Sequence, residues 1–95
     1  MRDGGTLCAS TVLDKRMQLK EAFGHAVRLA REEQKLTQAQ LAERAGLRLS
    51  AVSHIERGTR PGKFETLEAV SRGLKTPLST LMRRAEELIE LTGKR

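Results

Sequence analysis

Cationic and hydrogen-bonding side chains are concentrated between Arg48 and Lys63, where four residues are basic and Glu56 is the single acid. Arginine and lysine bind phosphate oxygens through charge-assisted hydrogen bonds, and arginine, serine and histidine can also bond to the edges of nucleic-acid bases. Side chains of these types in one short segment therefore favour binding to a phosphate-bearing polymer. The basic residues of the segment are Arg48, Arg57, Arg60 and Lys63.

The charge of the whole chain is also basic, with a formal net charge of +6 over 95 residues. This balance favours nucleic acid, and RNA or an anionic membrane surface would attract the same charge. No apolar run approaches the roughly 20 residues of a membrane span, and the start lacks a secretory apolar core. The single cysteine, Cys8, can form no internal disulfide and has no partner set for a metal. We expect a cytoplasmic protein with no membrane association, metal or cofactor.

The spacing of small and branched residues after Thr37 predicts two helices packed across a short turn. Ala42 is small where a second helix must pack closely, and Gly46 can adopt the left-handed conformation between two helices without a Cβ clash. Val52 and Ile55 follow this glycine by six and nine residues, and they would anchor the second helix against the first. The shared apolar face is completed by Leu41, Ala45 and Leu47.

At these residues the chain resembles the Cro and phage-repressor class of helix-turn-helix proteins, the Xre-like family of bacterial and phage regulators. The similarity extends from about Leu19 to Met82. It implies an all-α, lambda-repressor-like domain of five helices that binds operator DNA as a dimer, with helices 2 and 3 forming the helix-turn-helix. The segments that carry it are LTQAQLA at 36–42, Ala45-Gly46, IERG at 55–58 and FETLEAV at 64–70.

Composition and periodicity favour the same all-α fold. With two Phe and no Trp or Tyr, the interior must be filled by aliphatic side chains, which suits close helix packing better than a sheet sandwich. Gly73, within the fourth helix, indicates a close contact between helices. Helical spacing, capping patterns and prolines predict helices over about 17–34, 37–46, 49–57, 64–74 and 77–92.

The chain divides into a terminal arm and one domain. Residues 1–16 carry paired glycines and no sustained helical period, so we expect a flexible N-terminal arm. Met17 directly follows this arm, and we consider it a candidate for the translation start. We assign residues 17–95 to the DNA-binding domain, which includes a C-terminal dimerisation helix at about 77–92.

The last predicted helix carries an apolar stripe that is longer than one compact domain would cover. We expect a second subunit to cover it and to form a homodimer. The alternative is that Leu88, Ile89 and Leu91 fold back on the first helix of the same chain. The predicted interface residues are Leu81, Ala85, Leu88 and Ile89.

Val52 and Ile55 fix the buried side of the third helix, so the opposite side carries side chains able to enter a major groove. Arginine pairs with guanine, serine and histidine bond to base edges, and leucine packs on a thymine methyl group. Taken singly, each of these side chains could instead touch phosphate or solvent. In the family, small polar residues or glutamine are frequent where this chain has Arg48 and Leu49. The candidate base-reading residues are Arg48, Leu49, Ser50, Ser53 and His54.

Phosphate contacts are expected at the helix starts, because free backbone N–H groups and the positive dipole end attract anions there. In the family a glutamine matching Gln38 clasps the phosphate backbone, and the resemblance extends that role here. Capping of the helix by Thr37 is compatible with it, and Arg57 could instead be a solvated helix end. The candidate phosphate-binding residues are Thr37, Gln38, Arg57, Arg60 and Lys63.

Glu56 is interpreted differently from its basic neighbours. An acid within the most basic segment would weaken DNA binding unless it faced the protein interior. The resemblance pairs this glutamate with an arginine of the first helix that corresponds to Arg31. We therefore expect a structural, partly buried ion pair between Arg31 and Glu56.

An enzyme is not expected, because the only histidines, His25 and His54, lie on different predicted helices and no HxxxH or CxxC motif exists. The predicted function is sequence-specific binding of double-stranded DNA by a homodimeric transcriptional regulator, a repressor or autoregulating controller, at a palindromic operator. The alternative is the antitoxin or adaptor half of a protein complex, which would use the same domain for partner binding and autoregulation.

Overall fold

The structure is a computed structural model that describes residues 18–59 and 62–93. Within these residues the chain forms five α-helices and no strand, which confirms the predicted fold class. The predicted arm at 1–16, Met17 and Arg60 lie outside the described residues. The helices are α1 (Leu19–Glu33), α2 (Gln38–Ala45), α3 (Leu49–Arg57), α4 (Phe64–Leu74) and α5 (Leu78–Gly93).

The start and end of α2 follow from local side-chain and backbone chemistry. The Thr37 hydroxyl accepts a hydrogen bond from the Gln40 backbone N–H at 3.0 Å, and the Gln40 side chain accepts from the Thr37 N–H at 2.8 Å. This reciprocal capping box satisfies two donors that the helix itself leaves free. Gly46 ends α2 at φ 71°, in the left-handed region, so the chain turns sharply into α3.

The core is built where α1 packs on α3 and α5, and where α2 packs on α3 and α4. Val52 and Ile55 of α3, the predicted anchors of the helix pair, are buried, and so is Leu41 of α2 on the shared apolar face. Val27 of α1 and Leu81 of α5 are equally buried. α1 and α4 therefore pack on one side of the α2–α3 pair and leave its opposite side uncovered.

Two glycines allow unusually close contacts between helices. A Cβ atom at Gly24 of α1 would lie against the backbone carbonyl oxygens at the end of α3, 2.7 Å from that of Glu56. A Cβ atom at Gly73 of α4 would lie 3.1 Å from Leu41 Cδ1 and 3.2 Å from Ala45 Cβ, which confirms the close contact predicted there. The two contacts fix α2 and α3 against the rest of the core.

The predicted subunit interface is wrong at Leu81 and Ala85, because both residues are fully buried within one protomer. The reason is that α1 packs alongside α5 and covers this part of the stripe. The first turns of the apolar stripe are therefore covered within the protomer, whereas the alternative interpretation had placed Leu88, Ile89 and Leu91 against the first helix. Leu88 and Ile89 are half-buried against the same core.

Replacing Gly24 by alanine should destabilise the fold by about 3 kcal/mol, because the new methyl group meets backbone atoms that cannot move independently of α3. Gly46→Asn is the matched control: it lies in open space, and asparagine tolerates the left-handed region at a cost of about 1 kcal/mol. Urea unfolding of the two variants gives both free energies. Equal losses would contradict the close contact of α1 with α3.

Candidate nucleic-acid interface

The two sides of α3 differ sharply in solvent exposure. Val52 and Ile55 are buried, whereas Arg48, Leu49 and Ser50 at the start of the helix are exposed. Leu49 leaves 50% of its surface open, although it is a large aliphatic residue among polar ones. The start of α3 therefore presents a cationic, an apolar and a hydroxyl side chain away from the core.

The remaining candidate base-reading residues, Ser53 and His54, are half-buried. Ser50 and His54 line one shallow cleft of about 240 Å³ between α3 and the start of α4, together with Thr66. The His54 Nδ1 atom lies 3.1 Å from the Thr59 hydroxyl oxygen, and that hydroxyl donates to the His54 backbone carbonyl at 3.3 Å. The imidazole is therefore held towards the end of α3, one turn further along than Ser50.

Two helix N-termini flank this side of the molecule. In α2, the Thr37 side chain caps the Gln40 backbone N–H. The backbone N–H groups of Gln38 and Ala39 have no carbonyl partner within the helix. In α3, the Arg48 carbonyl accepts a hydrogen bond from the Ala51 backbone N–H at 3.0 Å, and the Arg48 side chain makes no capping hydrogen bond. Each terminus therefore supplies N–H groups and a positive dipole end to an anion.

Exposed cations continue beyond the end of α3. Arg57 is the last residue of α3, and its Nη2 atom lies 3.4 Å from His54 Nδ1. Lys63 precedes α4 and is exposed, with no side-chain bond to the helix start. Arg60 belongs to the two residues of this loop that are not described. The described cations thus leave a positive surface on both sides of the loop.

Arg31 and Glu56 form the ion pair that the resemblance implied. The Arg31 Nε atom donates to Glu56 Oε2 at 2.6 Å and its Nη2 atom to Oε1 at 3.1 Å, with 12% and 4% of the two side chains exposed. A third bond, from Arg31 Nη1 to the Leu36 carbonyl, measures 2.8 Å. The hydrogen bonds to Glu56 raise the pKa of the Arg31 guanidinium above its ordinary value, against the lowering effect of burial.

Gln38 has a role that the sequence did not suggest. Its side-chain Nε2 atom donates to Glu56 Oε1 at 2.9 Å, so the glutamine expected at the phosphate is also tied to the ion pair. The two residues are separated by 18 positions, and no periodicity or motif links them. Only the packing of the start of α2 against the end of α3 brings them together.

The described residues contain no group of three or more His, Cys, Asp or Glu side chains that could hold a metal ion. Within the same part of the chain, none of the helices has the length and apolar character needed to cross a bilayer.

A capped helix, a glycine turn and a second helix with one buried side define a helix-turn-helix domain. The family model described as Helix-turn-helix matches residues 27–81. The chain belongs to this family of DNA-binding transcriptional regulators, and the resemblance to its Cro/C1-type members is confirmed.

Two curated proteins are similar to the chain. RghR, an HTH-type transcriptional repressor of Bacillus subtilis (strain 168), is 39% identical over 72 residues, which are 75% of this chain. The immunity repressor protein of Bacillus phage phi105 is 41% identical over 59 residues, or 62% of this chain. The matched part of the chain spans only 53% and 41% of the length of these relatives.

Among solved structures, the clp gene regulator ClgR of Corynebacterium glutamicum has a similar fold. The TM-score is 0.74 at 27% sequence identity, and the match covers 78% of this chain and 95% of that one. The five-helix arrangement is therefore shared over nearly all of a known regulator.

Replacing Glu56 by alanine should lower the free energy of unfolding by about 3 kcal/mol, because Arg31 would remain buried without its partner. Glu32→Ala is the matched control, since it removes an exposed carboxylate that pairs with Arg28 at 3.0 Å. An exposed pair of this kind contributes less than about 1 kcal/mol. Thermal and urea unfolding measure the loss for each variant. The structural role of Glu56 would be refuted if Glu56→Ala and Glu32→Ala lowered the free energy of unfolding by the same small amount.

Proposed function

We propose that this chain is a sequence-specific transcriptional regulator that binds double-stranded DNA as a homodimer and inserts α3 into the major groove. The observation that carries the proposal is the division of α3 into a buried side and an outward side with exposed polar and cationic residues. A major groove about 12 Å wide admits a helix of this size. Its similarity to two repressors favours repression as the outcome of binding.

Sequence preference would arise at the start of α3, since the first residues of a recognition helix reach the base edges. Arg48 can pair with guanine through two hydrogen bonds, and Ser50 can bond to either class of base. The exposed aliphatic side chain of Leu49 suits contact with a thymine methyl group. Ser53 and His54, further along the same side, would read bases only where the groove brings them within reach.

Affinity would come from phosphate contacts on both sides of the groove. The start of α2, with Thr37 and Gln38, offers backbone N–H groups to one strand. Arg57 and Lys63 offer charge to the other side, and Arg60 is added to them from the sequence alone. Such contacts position the protein without selecting a base sequence.

The proposed dimer uses the part of the α5 stripe that remains uncovered. Leu91 is 70% exposed and Leu29 of α1 is 46% exposed. Together with Leu88 they line a shallow depression of about 340 Å³. Arg84 and Glu33, 3.4 Å apart, lie at its edge. A two-fold axis through this patch would cover apolar surface and would space two copies of α3 about 34 Å apart, one turn of DNA.

The same patch supports the second candidate function. An antitoxin or adaptor would bury Leu29, Leu88 and Leu91 against a different protein and would retain the DNA-binding side for autoregulation. Either function requires access to the genome, so we place the protein in the cytoplasm. Both functions depend on binding rather than on catalysis.

Selection of bound sites from random DNA tests the groove-facing side. Arg48→Ala and His54→Ala should change the preferred sequence, because each lost base contact removes roughly 1–3 kcal/mol of discrimination. Lys63→Ala should weaken binding to all DNA sequences about equally. It should also reduce the slope of affinity against salt concentration by the amount expected for one phosphate contact. Arg83→Ala, which removes an exposed cation from α5, is the control. Unchanged preferences for Arg48→Ala and His54→Ala would refute this assignment, and salt-independent binding would refute DNA binding itself.

Sedimentation at micromolar concentration tests the dimer. Leu29→Asp combined with Leu91→Asp should give a folded monomer that binds a palindromic site much more weakly, because each protomer would bring two charges into the interface at the two-fold axis. Leu19→Asp is the matched control, since Leu19 is exposed to the same extent as Leu29 but lies at the other end of α1. A monomeric wild-type protein, or dissociation caused by Leu19→Asp alone, would contradict the proposed interface.

A further inference from the structure

The Glu56 carboxylate joins three helices. Its Oε2 atom accepts from Arg31 Nε of α1 at 2.6 Å, and its Oε1 atom accepts from Arg31 Nη2 at 3.1 Å. The same Oε1 atom accepts from the side-chain Nε2 of Gln38, the first residue of α2, at 2.9 Å. Only 4% of the Glu56 side chain is exposed. The glutamine is therefore attached to a buried acceptor that cannot move without α3.

Gln38 is half-exposed at the N-terminus of α2, beside the backbone N–H groups of the first turn. A primary amide carries two hydrogens, and one of them is used in the bond to Glu56. The second hydrogen then has a fixed direction, whereas an unattached glutamine side chain would sample many rotamers. The bond to Glu56 thus makes Gln38 a directed donor at an anion-binding helix end.

The charges of Arg31 and Glu56 are also matched. Arg31 binds both oxygens of Glu56, so the negative charge of the carboxylate is neutralised within the protein. A phosphate near Gln38 would meet the positive helix end and an amide hydrogen rather than an unpaired carboxylate. An acid can therefore lie close to the DNA-binding side without opposing the ligand.

We propose that Glu56 is a positioning residue for the phosphate contact of Gln38, in addition to fixing the angle of α3. The proposal rests on the DNA-binding function proposed above. Arg31 neutralises Glu56, Glu56 orients the Gln38 amide, and Gln38 contacts the DNA backbone.

The first measurement needs no DNA. In the free wild-type protein, the two side-chain amide hydrogens of Gln38 should have widely separated NMR shifts, because one of them is bonded to a carboxylate. Glu56→Gln keeps the size of the residue but offers a single carbonyl oxygen to three donors, so the separation should collapse. Glu32→Gln changes the net charge equally and should leave the Gln38 signals unchanged. Wild-type shifts typical of a solvated glutamine would overturn the proposal.

The second measurement is a double-mutant cycle of DNA binding with Gln38→Ala and Glu56→Gln, each confirmed by circular dichroism to be folded. Gln38→Ala should weaken binding to every sequence about tenfold, as expected for one hydrogen bond to a charged group. After correction by Glu32→Gln for the change in charge, Glu56→Gln should weaken binding by a similar factor. The two losses should then be clearly less than additive, because in the Gln38→Ala background the loss of Glu56 acts only through the angle of α3.

Additive losses, about a hundredfold in the double variant, would overturn the positioning role, because Glu56 would then act only through the angle of α3. If Glu56→Gln does not fold, Gln38→Asn provides the test, since its shorter amide cannot reach Glu56 while the ion pair stays intact. It should bind DNA as weakly as Gln38→Ala, and binding equal to wild type would overturn the proposal. Failure of every variant and of the wild type to bind DNA would overturn the DNA-binding function and this role with it, whatever the NMR shifts.

Discussion

The closeness of α1 to α3 is the constraint on which the rest of the structure depends. Gly24 lets the backbone of α1 approach the last carbonyl groups of α3, and the Arg31–Glu56 ion pair connects the same two helices through side chains. A buried ion pair contributes little net stability compared with apolar packing, but breaking one leaves an uncompensated charge in the interior. The pair therefore acts mainly on geometry, because other angles of α3 would separate the charges.

The position of α3 determines what the surface offers to a ligand. Once Val52 and Ile55 face the core, the exposed first turn of the helix must carry Arg48 and Ser50 outward. The same packing brings the end of α3 to the start of α2, where Gln38 reaches Glu56. Stability and the proposed DNA binding thus depend on one set of contacts, and a change at the ion pair is expected to affect both.

The apolar side chains of α5 are divided between the core and the protein surface. Its first half, including Leu81, completes the protomer, whereas Leu91 remains 70% exposed. The division follows from how the two helices are aligned, because Glu33, the last residue of α1, contacts Arg84 at 3.4 Å and α5 continues beyond Arg84 to Gly93. One helix therefore has room for two functions: closing the core near its start and offering an apolar patch near its end.

Much of this arrangement could be predicted from the sequence. Thr37 and Gln40 specified a capping box, Gly46 a left-handed turn, and Val52 with Ile55 the buried side of α3, because each depends on neighbours within a few residues. The same short-range patterns gave the five helices to within one or two residues of their observed ends.

Contacts between distant segments could not be predicted in this way. A helical stripe shows that Leu81 and Ala85 are buried, but not whether α1 or a second subunit covers them, since both would bury the same surface. The bond between Gln38 and Glu56 likewise depends on the angle at which two helices meet. The sequence by itself determined which residues form helices and which sides are apolar, because these follow from local chemistry. Only the tertiary structure decided which surfaces meet, because that depends on all the helices packing at once.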